Sequence, residues 1–385
     1  MKWPKVAIGE ICSLVNGRAF KEQDWSQSGL PIIRIQNLNG RGASFNHWPG
    51  PLGGQIIVKP KDLLLAWSGT PGTSFGAHIW EGPEGVLNQH IFRVDIDRTK
   101  IDPVWAMRSI NNQLDHLISQ AHGGVGLKHV TRGVVQEMTI PLPPLAEQRR
   151  ITAILDKADH LRQMRRLTLQ KLDSLTQSWF VCMFGDPARN PSGLPVVTLG
   201  DIVHSVSDGP HVSPRYSETG IPFLSTRNIR PGNIVWDDLK YITHEDAEVQ
   251  WKKCRPQNGD VLYTKGGTTG LAVAIDFNEP IAVWVHVALI RPDTSKVDPT
   301  WLETALNSPH CYAQSQRYTH GIANRDLGLT RMTRIQMYLP ALDDQRKFVR
   351  VRREINRLIA RATASLSELD RGFASLQHRA FRGEL

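Results

Sequence analysis

The feature that most constrains the fold of this chain is an internal duplication. VAIGEI, which begins at Val6, recurs as VTLGDI at Val197, and GLPIIRIQNL recurs as GIPFLSTRNI. Two further blocks follow in the same order: KDLLLAWSGTPG returns as GDVLYTKGGTTG, and PLPPLAEQRR returns as YLPALDDQRK. Similar blocks in one order, with small insertions between them, indicate a tandem of two copies of one folding unit.

The first part of each copy has the pattern of a mixed α/β domain. Short β-rich runs, such as PIIRIQNL in the first copy and AVWVHVALI in the second, alternate with turns rich in glycine and proline. One helix per copy is predicted after Asp102 and after Asp298, because each is followed by a proline that fits the first helical position. We therefore expect two globular α/β domains with mixed sheets, at residues 1–143 and 187–340.

Each copy ends in a stretch that is predicted to form one long helix. The first lies within 144–186 and has no proline or glycine from Ala146 to Phe184; the second covers 341–385, with apolar residues recurring from Val351 to Ala380. About 35 helical residues measure about 50 Å, and a helix of that length with one apolar stripe needs a partner in water. We expect the two helices to pair as an antiparallel coiled coil that serves both copies, related by a pseudo-two-fold axis. The alternative is that each helix covers the sheet of its own domain.

The composition is typical of a folded protein with a polyanionic partner. The 385 residues carry a net charge of +9, which favours nucleic acid without establishing it. Four cysteines lie far apart without metal-ligand spacing, so we expect reduced thiols in a cytoplasmic protein. Because no apolar run reaches the length of a signal peptide or a membrane span, we expect no membrane partner.

Two similar domains on a stiff helical spacer suggest a reader of a two-part DNA sequence. A spacer of about 50 Å corresponds to about one and a half turns of B-DNA. The copies differ most in their loops, GRAFKEQDWS in the first and SDGPHVSPRYSE in the second. Domains with different loops would read different half-sites, so the site is predicted to be asymmetric with an unread gap.

The repeated blocks also form a recognisable set. They are a G-[LI]-P-x-[IL] block followed by QNL or RNI, a D-[LV]-L strand with an SG or GG turn, PLPPLAEQRRI before a long helix, and the terminal AFRGEL. In this order, and over essentially the whole chain, the set resembles the DNA-specificity subunits of type I restriction–modification systems. The resemblance implies two target-recognition domains and two spacer helices.

The resemblance also implies partners. It predicts that the chain binds double-stranded DNA, docks two methyltransferase subunits on its spacers, and helps to recruit ATP-dependent restriction subunits. The chain itself would hold no cofactor, since S-adenosylmethionine, ATP and magnesium would belong to those partners.

Basic and amide side chains in loops and at strand ends are predicted to contact DNA: Arg18, Lys21, Arg34, Gln36 and Lys128 in the first copy, and His211, Arg215, Arg227 and Lys265 in the second. Arg34, Gln36 and Arg227 end predicted strands and could bond base edges, each discriminating between bases by about 1–3 kcal/mol. A structural role for these three is equally compatible with the sequence. Lys265 in KGGTTG could touch a phosphate, or the segment could be a plain turn, because the matching WSGTPG carries Trp67.

Two pairs of polar residues that both copies share are expected to be structural. Asn37 and Asn228 persist in copies that would read different sequences, so we expect them to cap turns. His90 and His286 occupy matching strand positions, and we expect satisfied structural histidines there.

The spacer helices carry many arginines, and six are predicted to contact partners: Arg149, Arg150, Arg346, Arg350, Arg353 and Arg357. The run from Arg346 to Arg361, Arg352 included, is expected on the solvated side of the last helix. It is either a solvated face of the coiled coil or a surface for the DNA spacer or an acidic partner.

Sequence motifs of catalysis are missing. The chain has no [ND]PP[FY] tetrapeptide of a DNA methyltransferase, no ExK pair, no Walker motif, no zinc-ligand set and no GxSxG. We therefore expect a non-catalytic subunit with no metal site. Two alternatives stay open, namely a protein-binding adaptor and a self-contained DNA-modifying enzyme with an unrecognised site.

Overall fold

The computed structural model describes residues 3–39, 43–50, 56–69, 75–119, 128–186, 188–321 and 325–385, with only the backbone described at Asn39, Gly69 and Lys128. The chain divides into two compact units. The first contains Met1–Met164 and Leu366–Leu385, and the second contains Arg165–Ser365. Among the described residues no helix is long and apolar enough to cross a membrane.

The first unit is built around two four-stranded sheets. Its strands are β1 Lys5–Ala7, β2 Cys12–Asn16, β3 Leu30–Ile33, β4 Asn46–Trp48, β5 Ile57–Val58, β6 Leu63–Ala66, β7 Ser68–Gly69, β8 Gly76–Ile79, β9 Gly85–Leu87, β10 Ile91–Ile96, β11 Lys128–His129 and β12 Thr139–Pro141. One sheet has the order β2-β10-β6-β8 and is antiparallel throughout; the other has the order β4-β3-β9-β5 with a parallel β3–β9 pair. The sheets are therefore mixed, as predicted.

Short helices complete this unit: α1 Ile8–Ile11, α2 Ile35–Asn39, α3 Pro103–Asn112, α4 Leu114–Ser119 and α5 Arg132–Glu137. The predicted start of α3 is confirmed, because the Asp102 carboxylate accepts hydrogen bonds from the backbone of Val104 and Trp105, and Pro103 occupies the first turn. The helix then buries Trp105 completely in the core of the unit.

The second unit repeats this plan. Its strands are β13 Val196–Thr198, β14 Val203–Asp208, β15 Tyr216–Ser217, β16 Ile221–Leu224, β17 Ile229–Arg230, β18 Asn233–Ile234, β19 Lys240–Ile242, β20 Val261–Thr264, β21 Ala272–Ala274, β22 Ala282–Val283, β23 Val287–Pro292 and β24 Gln336–Tyr338. Its short helices are α7 His244–Trp251, α8 Pro299–Leu306, α9 Pro309–Tyr318 and α10 Leu329–Met332.

The sheet topology confirms the internal repeat. The order β14-β23-β20-β21 corresponds to β2-β10-β6-β8, and the parallel pair β16–β22 corresponds to β3–β9. The helix α8 has the same cap as α3, formed by Asp298 before Pro299. Two copies of one fold therefore lie in one chain.

Two long helices follow the two domains, α6 at Leu145–Phe184 and α11 at Leu342–Arg382. In the first unit they run antiparallel, since Arg150 Nη2 donates to the backbone oxygen of Leu385 at 3.0 Å and Arg162 Nε lies 2.6 Å from Asp370 Oδ1. In the second unit the end of α6 meets the start of α11, where the rings of Phe180 and Phe348 are 5.5 Å apart. The predicted antiparallel pairing is confirmed.

The buried side of α11 differs from the predicted one. Val351 and Leu358, which the spacing places on the apolar side, are 39% and 48% exposed, whereas Arg352 is 5% exposed. Phe348, Arg352 and Ile355 share the buried side because they are spaced by three or four residues. The expectation of a solvated Arg352 is wrong, because its guanidinium bonds the buried Glu303 carboxylate and the Thr300 backbone oxygen.

Candidate nucleic-acid interface

Four chain segments of the first unit converge beside the start of β10. The backbone after β2 bridges to the segment before β10, with Arg18 N donating to Leu87 O at 2.9 Å. Gly17 packs so closely here that a Cβ atom on it would lie 2.2 Å from the Asn88 oxygen, so a larger residue does not fit. Arg34, His90 and His129 enter the same region from the ends of β3, β10 and β11.

Aromatic rings hold the two arginines of this face. The Arg18 guanidinium lies 4.4 Å from the centre of the Trp48 ring, and that of Arg34 lies 5.4 Å from the centre of the Trp25 ring. Cation–π contacts of this kind orient a guanidinium without neutralising its charge. Both groups therefore remain charged donors on a surface where Arg18 is exposed and Arg34 half-buried.

A second cluster lies next to Arg34. The ring of Trp67 is 5.9 Å from that of His90 and 6.0 Å from that of His129, and it stacks on Phe92. Ser68 Oγ lies 2.7 Å from His129 Nδ1 and fixes the orientation of that ring. Burial lowers the pKa of His90, and the nearby His129 and Arg34 lower it further.

The equivalent place in the second unit holds a buried ion network. Lys265 Nζ lies 3.2 Å from Asp208 Oδ2 and 3.1 Å from Asp326 Oδ1, and Lys253 Nζ lies 2.5 Å from Asp208 Oδ1. The side chains of Lys265 and Asp208 are 9% and 8% exposed. The Lys265 charge is thus compensated inside the unit. This arrangement favours a structural role for Lys265 over a contact with DNA.

The other predicted residues of the second unit lie on its surface. His211, Arg215 and Arg227 are exposed, and Arg215 Nε lies 3.3 Å from Asp246 Oδ2. The loop that contains His211 and Arg215 begins at Gly209, where a Cβ atom would lie 2.3 Å from the Val283 oxygen. This close approach matches the one at Gly17 and fixes both divergent loops at the same place on the scaffold.

Comparison with known proteins identifies the fold and the family. The family described as "Type I restriction modification DNA specificity domain" matches this chain twice, over residues 1–174 and 191–366. The chain belongs to this type I specificity family. The two matches coincide with the two copies of the repeat.

Relatives and solved structures agree with this assignment. The chain is 23% identical over its whole length to the type I restriction enzyme EcoBI specificity subunit of Escherichia coli, covering 86% of that protein. It is 23% identical over 93% of its length to the MjaVIII specificity subunit of Methanocaldococcus jannaschii, covering 87% of that protein. The type I restriction–modification S subunit from M. genitalium has the same fold, with a TM-score of 0.62 at 14% identity, covering 99% of this chain and 96% of that one.

A second structural neighbour comes from a study of complex assembly and conformational transition of the type I restriction–modification system. It matches with a TM-score of 0.58 at 18% identity, covering 100% of this chain and 98% of that one. These two structures support the fold of the specificity chain over its full length.

The specificity chain uses its repeated asparagines as predicted. Asn37 Oδ1 accepts a hydrogen bond of 3.0 Å from Arg34 N, and Asn228 Oδ1 accepts one of 2.9 Å from Ser225 N. Each closes the turn after a central strand, so the expectation of turn caps is confirmed. Both copies keep the residue because both keep the turn.

The remaining predicted contacts of the first unit are exposed or undescribed. Lys21 and Gln36 are exposed, and the Lys128 side chain lies outside the described residues. The expectation of a satisfied His90 is wrong within the described part of the chain, because its Nδ1 atom is buried there without a hydrogen-bond partner. His286 is exposed.

The six predicted arginines of the spacer helices are exposed, and three of them pair within their own helix. Arg150 Nε lies 2.7 Å from Glu147 Oε2, Arg346 Nη1 lies 3.6 Å from Asp343 Oδ1, and Arg357 bonds Glu354. The hydrogen bond from Arg150 lowers the pKa of Glu147. Such exposed pairs contribute little stability, so these residues remain available to a partner. Arg149, Arg350 and Arg353 are also exposed.

Sequence reasoning missed part of the interface. Trp67, Gln89 and His129 are absent from the predicted DNA contacts. The structure places these side chains around His90, with Gln89 Nε2 3.2 Å from His90 Nε2. Their spacing in the sequence gives no signal, because three separate segments bring them together. Within the described ranges no group of three or more potential ligands could hold a metal ion.

Proposed function

We propose that this chain reads an asymmetric, two-part sequence in double-stranded DNA as the specificity subunit of a type I restriction–modification complex. Each unit would recognise one half-site. The long helices would dock two methyltransferase subunits, and the complex would recruit ATP-dependent restriction subunits. In this proposal the chain has no catalytic role, and S-adenosylmethionine, ATP and magnesium act on the partners in the cytoplasm.

One observation carries the two-reader proposal: one scaffold presents different side chains at equivalent positions. Ser225 stands where the first unit has Arg34, Asp326 stands where it has His129, and Lys265 stands where it has Trp67. The backbone pairing around them is repeated, since Ser68 pairs with His129 and Gly266 with Asp326. A conserved frame with exchanged hydrogen-bonding groups is what reading two different sequences requires.

The proposed DNA surface consists of the predicted residues that the structure leaves exposed or half-buried. They are Arg18, Lys21, Arg34 and Gln36 in the first unit, and His211, Arg215 and Arg227 in the second. Lys128 stays in the proposal on its sequence position alone. The proposed partner surface consists of Arg149, Arg150, Arg346, Arg350, Arg353 and Arg357.

The test is co-expression with the methyltransferase subunit of its own system, followed by mapping of methylated adenines. We expect a split, asymmetric motif that disappears when this chain is deleted. Arg18→Ala should relax or weaken recognition of the first half of the methylated motif and leave the second half unchanged. Arg227→Ala should do the same to the second half only. Methylation that persists on deletion, or that marks a continuous palindrome, would contradict the two-reader proposal.

A further inference from the structure

The first unit contains a cluster of basic side chains that have no carboxylate partner among the described residues. His90 and His129 pack against Trp67, Arg34 lies near His90, and no described ion pair involves any of the three. The first-unit stretches outside the description, 40–42, 51–55, 70–74 and 120–127, contain no aspartate or glutamate. The cluster is therefore short of negative charge.

The second unit shows how the same scaffold compensates a cation. There the lysine at the position of Trp67 lies between Asp208 and Asp326, which occupy the positions of Asn16 and His129. Its charge is satisfied by protein groups that the first unit lacks. The corresponding place in the first unit offers donors without described acceptors.

Two polar atoms of the cluster have no described hydrogen-bond partner. His90 Nδ1 and Trp67 Nε1 are both buried and unbonded within the described part of the chain. Buried polar atoms are bonded in the great majority of cases, so an orphaned pair in two half-buried side chains points to a group that is supplied from outside.

The orientation of His129 supports the same conclusion. Ser68, itself 3% exposed, occupies its Nδ1 atom at 2.7 Å. The Nε2 atom is then the ring nitrogen left for a ligand, and the residue is exposed. Arg34 adds a guanidinium whose plane is held by Trp25. A guanidinium and an imidazole nitrogen are thus both available as donors near His90.

We propose that Arg34, His90 and His129 bind one phosphate group of the DNA backbone in the first half-site, and that the second unit has no equivalent contact. The inference rests on the proposed function and names the ligand of one part of its surface. A phosphate fits because its oxygens are anionic acceptors, which pair most strongly with the Arg34 guanidinium and also accept hydrogen bonds from imidazole N–H groups. A base edge offers neutral acceptors and would leave the Arg34 charge uncompensated.

The experiment uses the complex of this chain with its methyltransferase and a duplex that contains the mapped motif. Phosphates of the first half-site are replaced one at a time by uncharged methylphosphonates, and binding is measured at several salt concentrations. Arg34→Gln and His129→Gln should each weaken binding about tenfold, the effect of losing a charge-assisted hydrogen bond. Arg34→Gln should also make the affinity fall less steeply with salt, so that the slope of log affinity against log salt becomes less negative by about 0.9.

One methylphosphonate position should identify the contacted phosphate. There the substitution should weaken binding by the wild-type complex but have little further effect on Arg34→Gln or His129→Gln. The matched controls are Arg98→Gln, an exposed arginine beyond the far end of β10, and His286→Gln, the equivalent histidine of the second unit. In both controls, the methylphosphonate at that position should weaken binding as much as it does in the wild-type complex.

Three outcomes would overturn the inference. In the first, Arg34→Gln and His129→Gln weaken binding, but every methylphosphonate weakens their binding as much as that of the wild type. In the second, the variants change the base preference in the first half-site. In the third, His286→Gln changes the effect of the methylphosphonate as much as they do. The two variants check each other, because only His129 bonds Ser68, and a folding defect from losing that bond would spare Arg34→Gln. If the wild-type complex shows no preference for the mapped duplex, the proposed function itself fails, which is a distinct result.

Discussion

Gln148 Oε1 accepts a hydrogen bond of 2.8 Å from the backbone nitrogen of Asp102, the residue that caps α3. The Gln148 amide nitrogen donates to the Lys100 and Pro143 oxygens at 2.9 and 2.7 Å, and the side chain is fully buried. In the second unit Gln345 makes the same bonds to Asp298, Lys296 and Pro340. The glutamine of the PLPPLAEQ block therefore ties the start of each long helix to its domain.

We predict that Gln148→Ala lowers the stability of the first unit by about 3 kcal/mol or more. The substitution leaves three backbone groups without partners, and each unsatisfied buried group costs about 1–3 kcal/mol. Gln345→Ala should have the same effect on the second unit. Calorimetry of the full chain measures both, with the exposed Gln163→Ala as the control. Equal melting curves for Gln148→Ala and Gln163→Ala would contradict the role of this bond.

The buried pair of Glu303 and Arg352 leads to a second prediction. Removing one member alone, as in Arg352→Leu, should cost about 3–5 kcal/mol because the other charge stays buried. The first unit has Met107 and Leu155 at these positions. The double variant Glu303→Met with Arg352→Leu therefore replaces the ion pair by the apolar pair of the first unit. We expect the double variant to recover most of the stability in a denaturant titration.

The same pair gives a pH dependence with a defined sign. Burial raises the pKa of Glu303, and Arg352 opposes that rise. In Arg352→Leu the opposing charge is gone, so the folded state holds the proton more tightly than the unfolded state. Stability from such a group is full below the unfolded pKa and is lost as pH rises through the folded pKa. Denaturant titrations should therefore show a smaller defect at acid pH than at neutral pH, and a constant defect would contradict this.

The ion network of the second unit should stabilise that unit alone. Lys265→Met leaves Asp208 buried beside only Lys253, and we expect a loss of about 3 kcal/mol. Asp326→Asn should cost less, since that side chain is 47% exposed. Thermal unfolding measures both, and methylation mapping should show effects on the second half-site only. A loss confined to the first half-site would contradict the division into two readers.

The cysteines are all free, as predicted, and their reactivities should differ widely. Burial raises the pKa of Cys12 and Cys311 to about 12 and that of Cys254 to about 11, whereas Cys182 is exposed. Under native conditions an alkylating reagent at pH 8 should modify Cys182 alone, because the thiolate is the reactive form. Mass spectrometry of the digested chain checks this, with the unfolded chain as the control. Rapid native modification of Cys311 would contradict the buried position of α9.

Much of the fold could be predicted because the signals are local or repeated. The caps at Asp102 and Asp298, the turns closed by Asn37 and Asn228, and both long helices follow from residues near each other in sequence. Their recurrence in the second copy adds independent support. The buried side of α11 could not be predicted, because Arg352 is buried only through its pairing with Glu303, which lies 49 residues earlier in the sequence.

The two copies of one α/β unit, the long helices and the family can all be inferred from the amino-acid sequence, because blocks of residues recur in order. Which charges are available to a ligand depends on the three-dimensional packing. Lys265 and Arg34 are both basic residues near strand ends, yet one is compensated by Asp208 and Asp326 and the other stacks on Trp25. The physical reason is that the free energy of a charge depends on its neighbours in space, and those neighbours come from segments far apart in the chain.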